Sequence, residues 1–233
     1  MSESFLIWVE IIFDVAYLIA VWTLVAIMIR KKSVVAEKDQ KVAKLVRWMF
    51  ILLALGDTGH VGFRVIAYAT GGLEKNPALV GIGAFATAVT VTFFYMLLVW
   101  VWKERFGKKM NLFAWFLLLV GVARLVIMAL PGNQWGNTVP PQPMGLIRNI
   151  PLMVQGIGIM LMILIDAIRS KDRTFTWIGG MIFLSFLFYT PVILFVQQVP
   201  MLGMLMMPKT LAYIAVAAIA YAAFYTGKSR LKQ

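Results

Sequence analysis

Seven apolar runs divide the chain, at 5–29, 48–70, 80–102, 112–130, 147–168, 176–197 and 201–225, and short polar connections separate them. A helix needs about 20 apolar residues to cross a hydrocarbon core, and each run approaches or exceeds that length. The pattern predicts an all-α polytopic membrane protein with seven transmembrane helices. The runs and their connections use up nearly all 233 residues, so one domain, 1–233, is expected and no separate soluble domain fits.

The connections differ from one another in charge. Seventeen of the 22 Lys and Arg residues fall at 30–47, 103–109, 169–173 and 228–232, after every second run. The alternate connections, near 71–79, 131–146 and 198–208, hold one lysine, Lys75. Positive charge stays on the cytoplasmic side during insertion, which predicts an N-terminus outside and a cytoplasmic C-terminus. Trp48, Trp100, Trp102 and Trp177 then fall at inner helix ends and Trp8 and Trp135 near the outer surface, where amphipathic rings anchor helices at the headgroups. The beginning of the chain has no positive leader and no small-residue cleavage site, which fits an uncleaved first span. The expected location is a multi-pass position in a bacterial cytoplasmic (inner) membrane.

Composition narrows the chemistry. At 61% hydrophobic residues and a mean hydropathy of +0.85, the chain is too apolar for a soluble domain. Its net charge of +12 flanks membrane spans and forms no stacking groove, so the expected partners are membrane lipids and not nucleic acid. There is no cysteine and a single histidine, which leaves metal sites without their usual ligands and the chain without a thiol nucleophile. No metal and no cofactor are expected, and the oligomeric state is open.

Charges inside the runs are costly and normally face a bundle interior. The acids are Glu10, Asp14, Asp57 and Asp166; the bases are Arg64, Arg124, Arg148 and Lys209, with His60 the lone imidazole. Apart from Asp166, near an inner helix end, they lie at mid-depth or in the outer half, which predicts a polar pocket open outward and closed below. Asp57, His60 and Arg64 are spaced i, i+3, i+7 and share one helical face. Gly56, Gly59 and Gly62 offer places for a second helix to approach. Asp57 has three candidate partners: His60, Arg64 and Lys209.

Lys209 follows Pro208. A helix starting near 201 buries the lysine roughly 12 Å deep, with Pro208 kinking it; a helix starting at 209 lets it snorkel. Arg148 and Asn149 open the fifth run. Tyr189-Thr190-Pro191 interrupts the sixth, with Thr190 or Tyr189 placed to satisfy the carbonyl that the proline frees. Thr87, Thr90, Thr92 and Tyr95 read as interhelical hydrogen-bonding groups. Ser185, His60 and Asp57 have the residue types of a hydrolytic triad without a nucleophile-elbow pattern. The segment 30–47 repeats apolar residues at helical spacing and reads as a basic surface helix or a solvated loop. The Pro- and Gly-rich 131–143 reads as a lid or a connector.

Three deep acids, Glu10, Asp14 and Asp57, face four bases, Arg64, Arg124, Lys209 and the shallower Arg148. That excess favours a ligand with a phosphate or carboxylate, and the Met-rich, aromatic surroundings suit an apolar tail. The expected function is binding, sensing or translocation of a small anionic or amphiphilic ligand, with Asp14, Asp57, His60, Arg64, Arg124, Arg148, Asn149, Tyr189 and Lys209 as candidate binding residues.

Two family resemblances arise at these residues. Lys209 in the last run, with Phe186-x-x-Tyr189-x-Pro191 in the sixth, resembles the retinal-binding rhodopsins and would imply a Schiff base on Lys209. The third run has no carboxylate for the usual counterion, so Asp57 or Asp14 would replace it. Leu53-Ala-Leu-Gly-Asp57, followed by Gly81-Ile-Gly-Ala-Phe85, resembles the Gly-Asp and Gly-Leu-x-x-Phe signatures of the lysoplasmalogenase family over about 52–100. That resemblance implies a multi-pass hydrolase of a vinyl-ether bond with Asp57 catalytic and, in this chain, Asp14 or His60 as its partner; the family's histidine is replaced near Val89, its Ser-Asp motif becomes Ser185-Phe186, and seven runs stand where the family has eight helices. The stretches GDTGHVGFR, RNIP and MLMMPKT resemble bacterial membrane proteins of similar length.

Overall fold

A computed structural model describes residues 3–227, with side chains from Ile7 onward. The chain is all-helical. Its long helices are α1 (Glu3–Arg30), α2 (Gln40–Ala69), α3 (Pro77–Phe106), α4 (Leu112–Ala129), α6 (Ile150–Arg169), α7 (Arg173–Phe195) and α8 (Met206–Phe224), with a single turn, α5 (Met144–Ile147), before α6. Seven helical segments are long and apolar enough to cross a membrane. Each coincides with one of the seven apolar runs. The basic cluster at 228–232 lies outside the described residues.

The helices close into a ring in the order α1, α2, α3, α4, α6, α7, α8 and back to α1, with α3 also touching α6 and α2 touching α8. Large apolar side chains such as Ile12, Ile19, Leu119, Val126 and Leu187 remain exposed on the outer faces, as expected for surfaces that meet lipid. The interior is filled by one apolar cluster that includes Val25, Met28, Phe50, Leu98, Ile163 and Phe175.

The most intimate pairing is α2 with α3. A methyl on Gly56 would collide with the Thr90 hydroxyl and stand 3.0 Å from the Thr87 Cα, and one on Gly83 would stand 2.9 Å from the Gly59 carbonyl oxygen. Gly62, the third expected approach point, faces open space. Gly56→Ala is therefore expected to force α2 and α3 apart and destabilise by about 1–3 kcal/mol, the usual range for overpacking. Gly62→Ala gains helix propensity without a clash. A thermal melt in detergent checks the pair: the first lowered, the second unchanged or raised.

The basic connections gather at one end of the ring, here called the basic end. Arg105 bridges Asp39, just before α2, at 3.0 Å and Asp172, just before α7, at 2.7 Å. Asp166 accepts from Trp102 at 2.8 Å and pairs with Lys108 at 3.0 Å. The opposite end carries the 130–149 segment and is called the Trp135 end.

Three expectations need correction. The segment 30–47 is neither a separate surface helix nor a loop throughout: after two 3-10 turns, Lys32–Val34 and Glu37–Asp39, it becomes the first two turns of α2. Its apolar spacing serves the core, because Val42, Ala43 and Val46 are buried and the Tyr225 hydroxyl donates to the Ala43 carbonyl at 2.7 Å. Next, Pro208 does not interrupt the interior of an α-helix. It lies in the first turn of α8, after a 3-10 turn at Pro200–Leu205, where a missing N–H leaves no bond unmade. Finally, Thr190 donates to the Phe186 carbonyl at 2.8 Å, one residue short of the Leu187 carbonyl that Pro191 leaves free.

Candidate functional site

Two polar clusters occupy the Trp135 half of the ring, and they differ in sign. An aromatic layer lies between them and the basic end. Phe94 packs edge-on against Phe50 of α2 at 5.7 Å and Tyr213 of α8 at 5.5 Å, and Tyr95 meets Phe186 of α7 at 5.6 Å. The hydroxyls of Tyr95 and Tyr213 share a hydrogen bond of 2.5 Å inside this layer.

The first cluster joins α1, α2 and α3. Asp57 is bound by two hydroxyls: Tyr17 donates to Oδ2 at 2.5 Å and Thr87 donates to Oδ1 at 2.6 Å. None of its three candidate partners makes that bond. Arg64 pairs instead with Glu10 of α1 and reaches the Tyr68 hydroxyl at 3.4 Å. Asp14, half-buried one turn from Glu10, lies within electrostatic range of Glu10, Arg64 and Asp57. The three deep acids thus sit together on the α1–α2 side of the ring.

His60 stands between the clusters, within electrostatic range of Asp57, Arg64 and Lys209. Its Nδ1 is buried and has no hydrogen-bond partner among the described residues. Ser185 is buried near the Tyr213 hydroxyl. With Asp57 held by Tyr17 and Thr87, the Ser185, His60 and Asp57 side chains form no hydrogen-bonded triad.

The second cluster is cationic. Arg124 of α4 is 2% exposed. Its guanidinium donates to the Ala88 carbonyl at 2.9 Å, the Thr92 hydroxyl at 2.5 Å and the Arg148 carbonyl at 3.0 Å. Every one of those acceptors is neutral. Lys209 places its Nζ 4.1 Å from the Tyr189 ring centre and 5.7 Å from that of Tyr213. Arg148 stacks 4.1 Å over Trp135. Arg124 is in electrostatic range of Arg148, Tyr189, Tyr95 and Tyr213, which ties the group together. Among the described residues none of these three cations has a carboxylate within 4 Å. Asn149 is spent locally, donating to the Gly145 carbonyl at 2.9 Å.

The 131–143 segment folds over this cluster. Asn133 is buried and bonds the last carbonyls of α4, Trp135 Nε1 donates to the Met128 carbonyl at 2.9 Å, and Trp135 meets Phe85 of α3 at 5.1 Å. Gln197 at the end of α7 donates to the Pro140 carbonyl at 3.0 Å. A narrow crevice remains between α3, this segment and Arg148. Tyr17, Tyr95, Tyr213 and Trp135 are the functional-site neighbours that reasoning from charge alone passes over.

Comparison with family models, with curated proteins and with solved structures gives no match.

Proposed function

We propose that this protein binds a small anionic or amphiphilic ligand among Lys209, Arg124 and Arg148 at the Trp135 end, and senses or translocates it. One observation supports the reading above the others. Lys209 and Arg148 rest on aromatic rings and Arg124 on neutral acceptors, none with a carboxylate within 4 Å among the described residues, while the acids are gathered on the α1–α2 side and two of them are engaged, Glu10 by Arg64 and Asp57 by two hydroxyls. Cations in an apolar interior need partners, and a carboxylate or phosphate would supply them through charge-assisted hydrogen bonds. Tyrosine and tryptophan rings hold Lys209 and Arg148 in the ligand's absence through cation–π contacts. The aromatic layer below suits an apolar tail.

Trp135 reports on the proposal directly. Decanoate and decyl phosphate are expected to change its fluorescence by drawing Arg148 off the ring, and decyltrimethylammonium is not. The change is read as the difference between the parent and Trp135→Phe. An equal response to the cationic amphiphile would overturn the reading.

We also infer the orientation, on charge: the basic end faces the cytoplasm of a bacterial inner membrane and the Trp135 end faces out. A cysteine-free chain makes this simple to test. Cysteine at Asn137 should react with an impermeant maleimide in intact cells and cysteine at Lys171 only after lysis; the reverse pattern refutes it.

A further inference from the structure

The basic end contains an open concavity of about 840 Å³, and it belongs to no part of the site above. It lies where α3 and α6 finish and α7 begins. Its charged lining comprises Arg105, Lys108, Arg169, Lys171 and Arg173 against Asp166 and Asp172. Both acids are already engaged, Asp166 by Lys108 and Trp102 and Asp172 by Arg105. Arg169, Lys171 and Arg173 are exposed and have no ion pair among the described residues. Three cations without an ion pair, of which Arg169 is in electrostatic range of Asp166, therefore stand at the mouth of a recess level with the ends of membrane-spanning helices.

The backbone adds a second observation. α2 and α3 end in the same way: Gly72 N–H bonds the Ala67 carbonyl at 2.8 Å and Lys108 N–H bonds the Lys103 carbonyl at 3.0 Å, with Gly71 and Gly107 at φ +111° and +60°. α6 repeats the motif, with Asp172 N–H on the Ala167 carbonyl at 2.8 Å, but its left-handed position, φ +56°, holds Lys171. Glycine is the usual residue there, because a Cβ is strained in that conformation. A lysine at the position sets an ammonium on the recess at a cost that glycine would avoid.

We propose that this recess binds the headgroup of an anionic phospholipid, and that it prefers a headgroup with two phosphates to one with a single phosphate. Basic pockets between helix ends on the cytoplasmic face are the usual seat of such lipids. Two phosphates match three free cations better than one does. Ile165 and Ile168 of α6 and Trp177 of α7 are exposed beside the recess, with the aliphatic and aromatic surface that acyl chains and the glycerol region cover. The proposal is independent of what the Trp135 end binds.

The test is native mass spectrometry of the full chain in mild detergent, titrated separately with diphosphatidylglycerol, phosphatidylglycerol and phosphatidylcholine. Affinity should fall in that order. Arg169→Gln, Lys171→Gln and Arg173→Gln together should weaken diphosphatidylglycerol binding about 100-fold, at roughly fivefold per basic residue near an anionic headgroup. Lys41→Gln with Lys44→Gln, at the same end but away from the recess, should leave it unchanged. Should the triple variant fail to fold, Lys171→Gly decides alone: its melting temperature should hold or rise while binding weakens about fivefold. Equal affinity for phosphatidylcholine, an unaffected triple variant or Lys171→Gly variant, or an equal loss in the Lys41/Lys44 control would each overturn the proposal.

Discussion

Lys209→Gln combined with Arg148→Gln is expected to release an anionic ligand at least about 100-fold more readily, with the fold intact. The magnitude follows from charge-assisted hydrogen bonds, about 1.5–3 kcal/mol each, so the loss of two amounts to roughly 3–6 kcal/mol. Survival of the fold follows from the partners. Neither cation bonds a carboxylate; Lys209 rests on Tyr189 and Tyr213, and Arg148 on Trp135. Removing them leaves no buried acid uncompensated. The surrendered cation–π contacts amount to about 0.5–2 kcal/mol apiece. The ligand-free double variant should melt within a few degrees of the parent, while ligand-dependent stabilisation, seen with decyl phosphate in the same melt, disappears. Undiminished stabilisation would show that the anion binds elsewhere.

Asp57→Leu should do the opposite, damaging the fold before any ligand is considered. The carboxylate is the common acceptor for Tyr17 of α1 and Thr87 of α3, and so ties three helices. Tyr17 is 5% exposed, so its hydroxyl is shielded from bulk solvent. A buried donor left unsatisfied costs about 1–3 kcal/mol, which sets the loss at Tyr17, and the half-buried Thr87 hydroxyl adds less. The loss falls on the α1–α2–α3 contact, and thermal unfolding in detergent should show it as a large drop. Asp57→Asn keeps an acceptor oxygen and should cost much less. If leucine and asparagine variants melted together, the hydroxyl clamp would not be what Asp57 provides.

The seven helices were legible because length and apolarity alone decide what can cross a bilayer, and each apolar run corresponds to one of the seven candidate spans. The charged members of the site were legible for the same reason: an Asp or Lys inside such a run stands out. Their partners were not. Asp57, His60 and Arg64 do lie on one face at i, i+3, i+7, yet Asp57 turns to α1 and α3, Arg64 to α1, and His60 Nδ1 to none of the described residues. Which groups meet depends on which helices are neighbours and at what height, and one helix's sequence contains neither. Tyr17 and Tyr213 were missed because hydroxyl residues are unremarkable in membrane helices until a charge is found beside them. Thr87 and Thr92 do bond between helices, as expected, but the groups they hold are the charges of the site. The start of α2 was obscured by its lysines, although Val42, Ala43 and Val46 already had the spacing of a core face. At Lys209 two helix starts were open, and the helical span begins at Pro200, close to the first of them, as a 3-10 turn that becomes α8 at Met206.

The central claim is that the cations without acid partners at the Trp135 end exist to hold an anion. The most direct measurement is a native mass spectrum of the gently purified full chain beside its Lys209→Gln, Arg148→Gln variant. The account predicts a discrete adduct on the parent that fragments to an anionic species and is absent from the folded variant. An adduct retained equally by both proteins, or one that proves cationic, would contradict it.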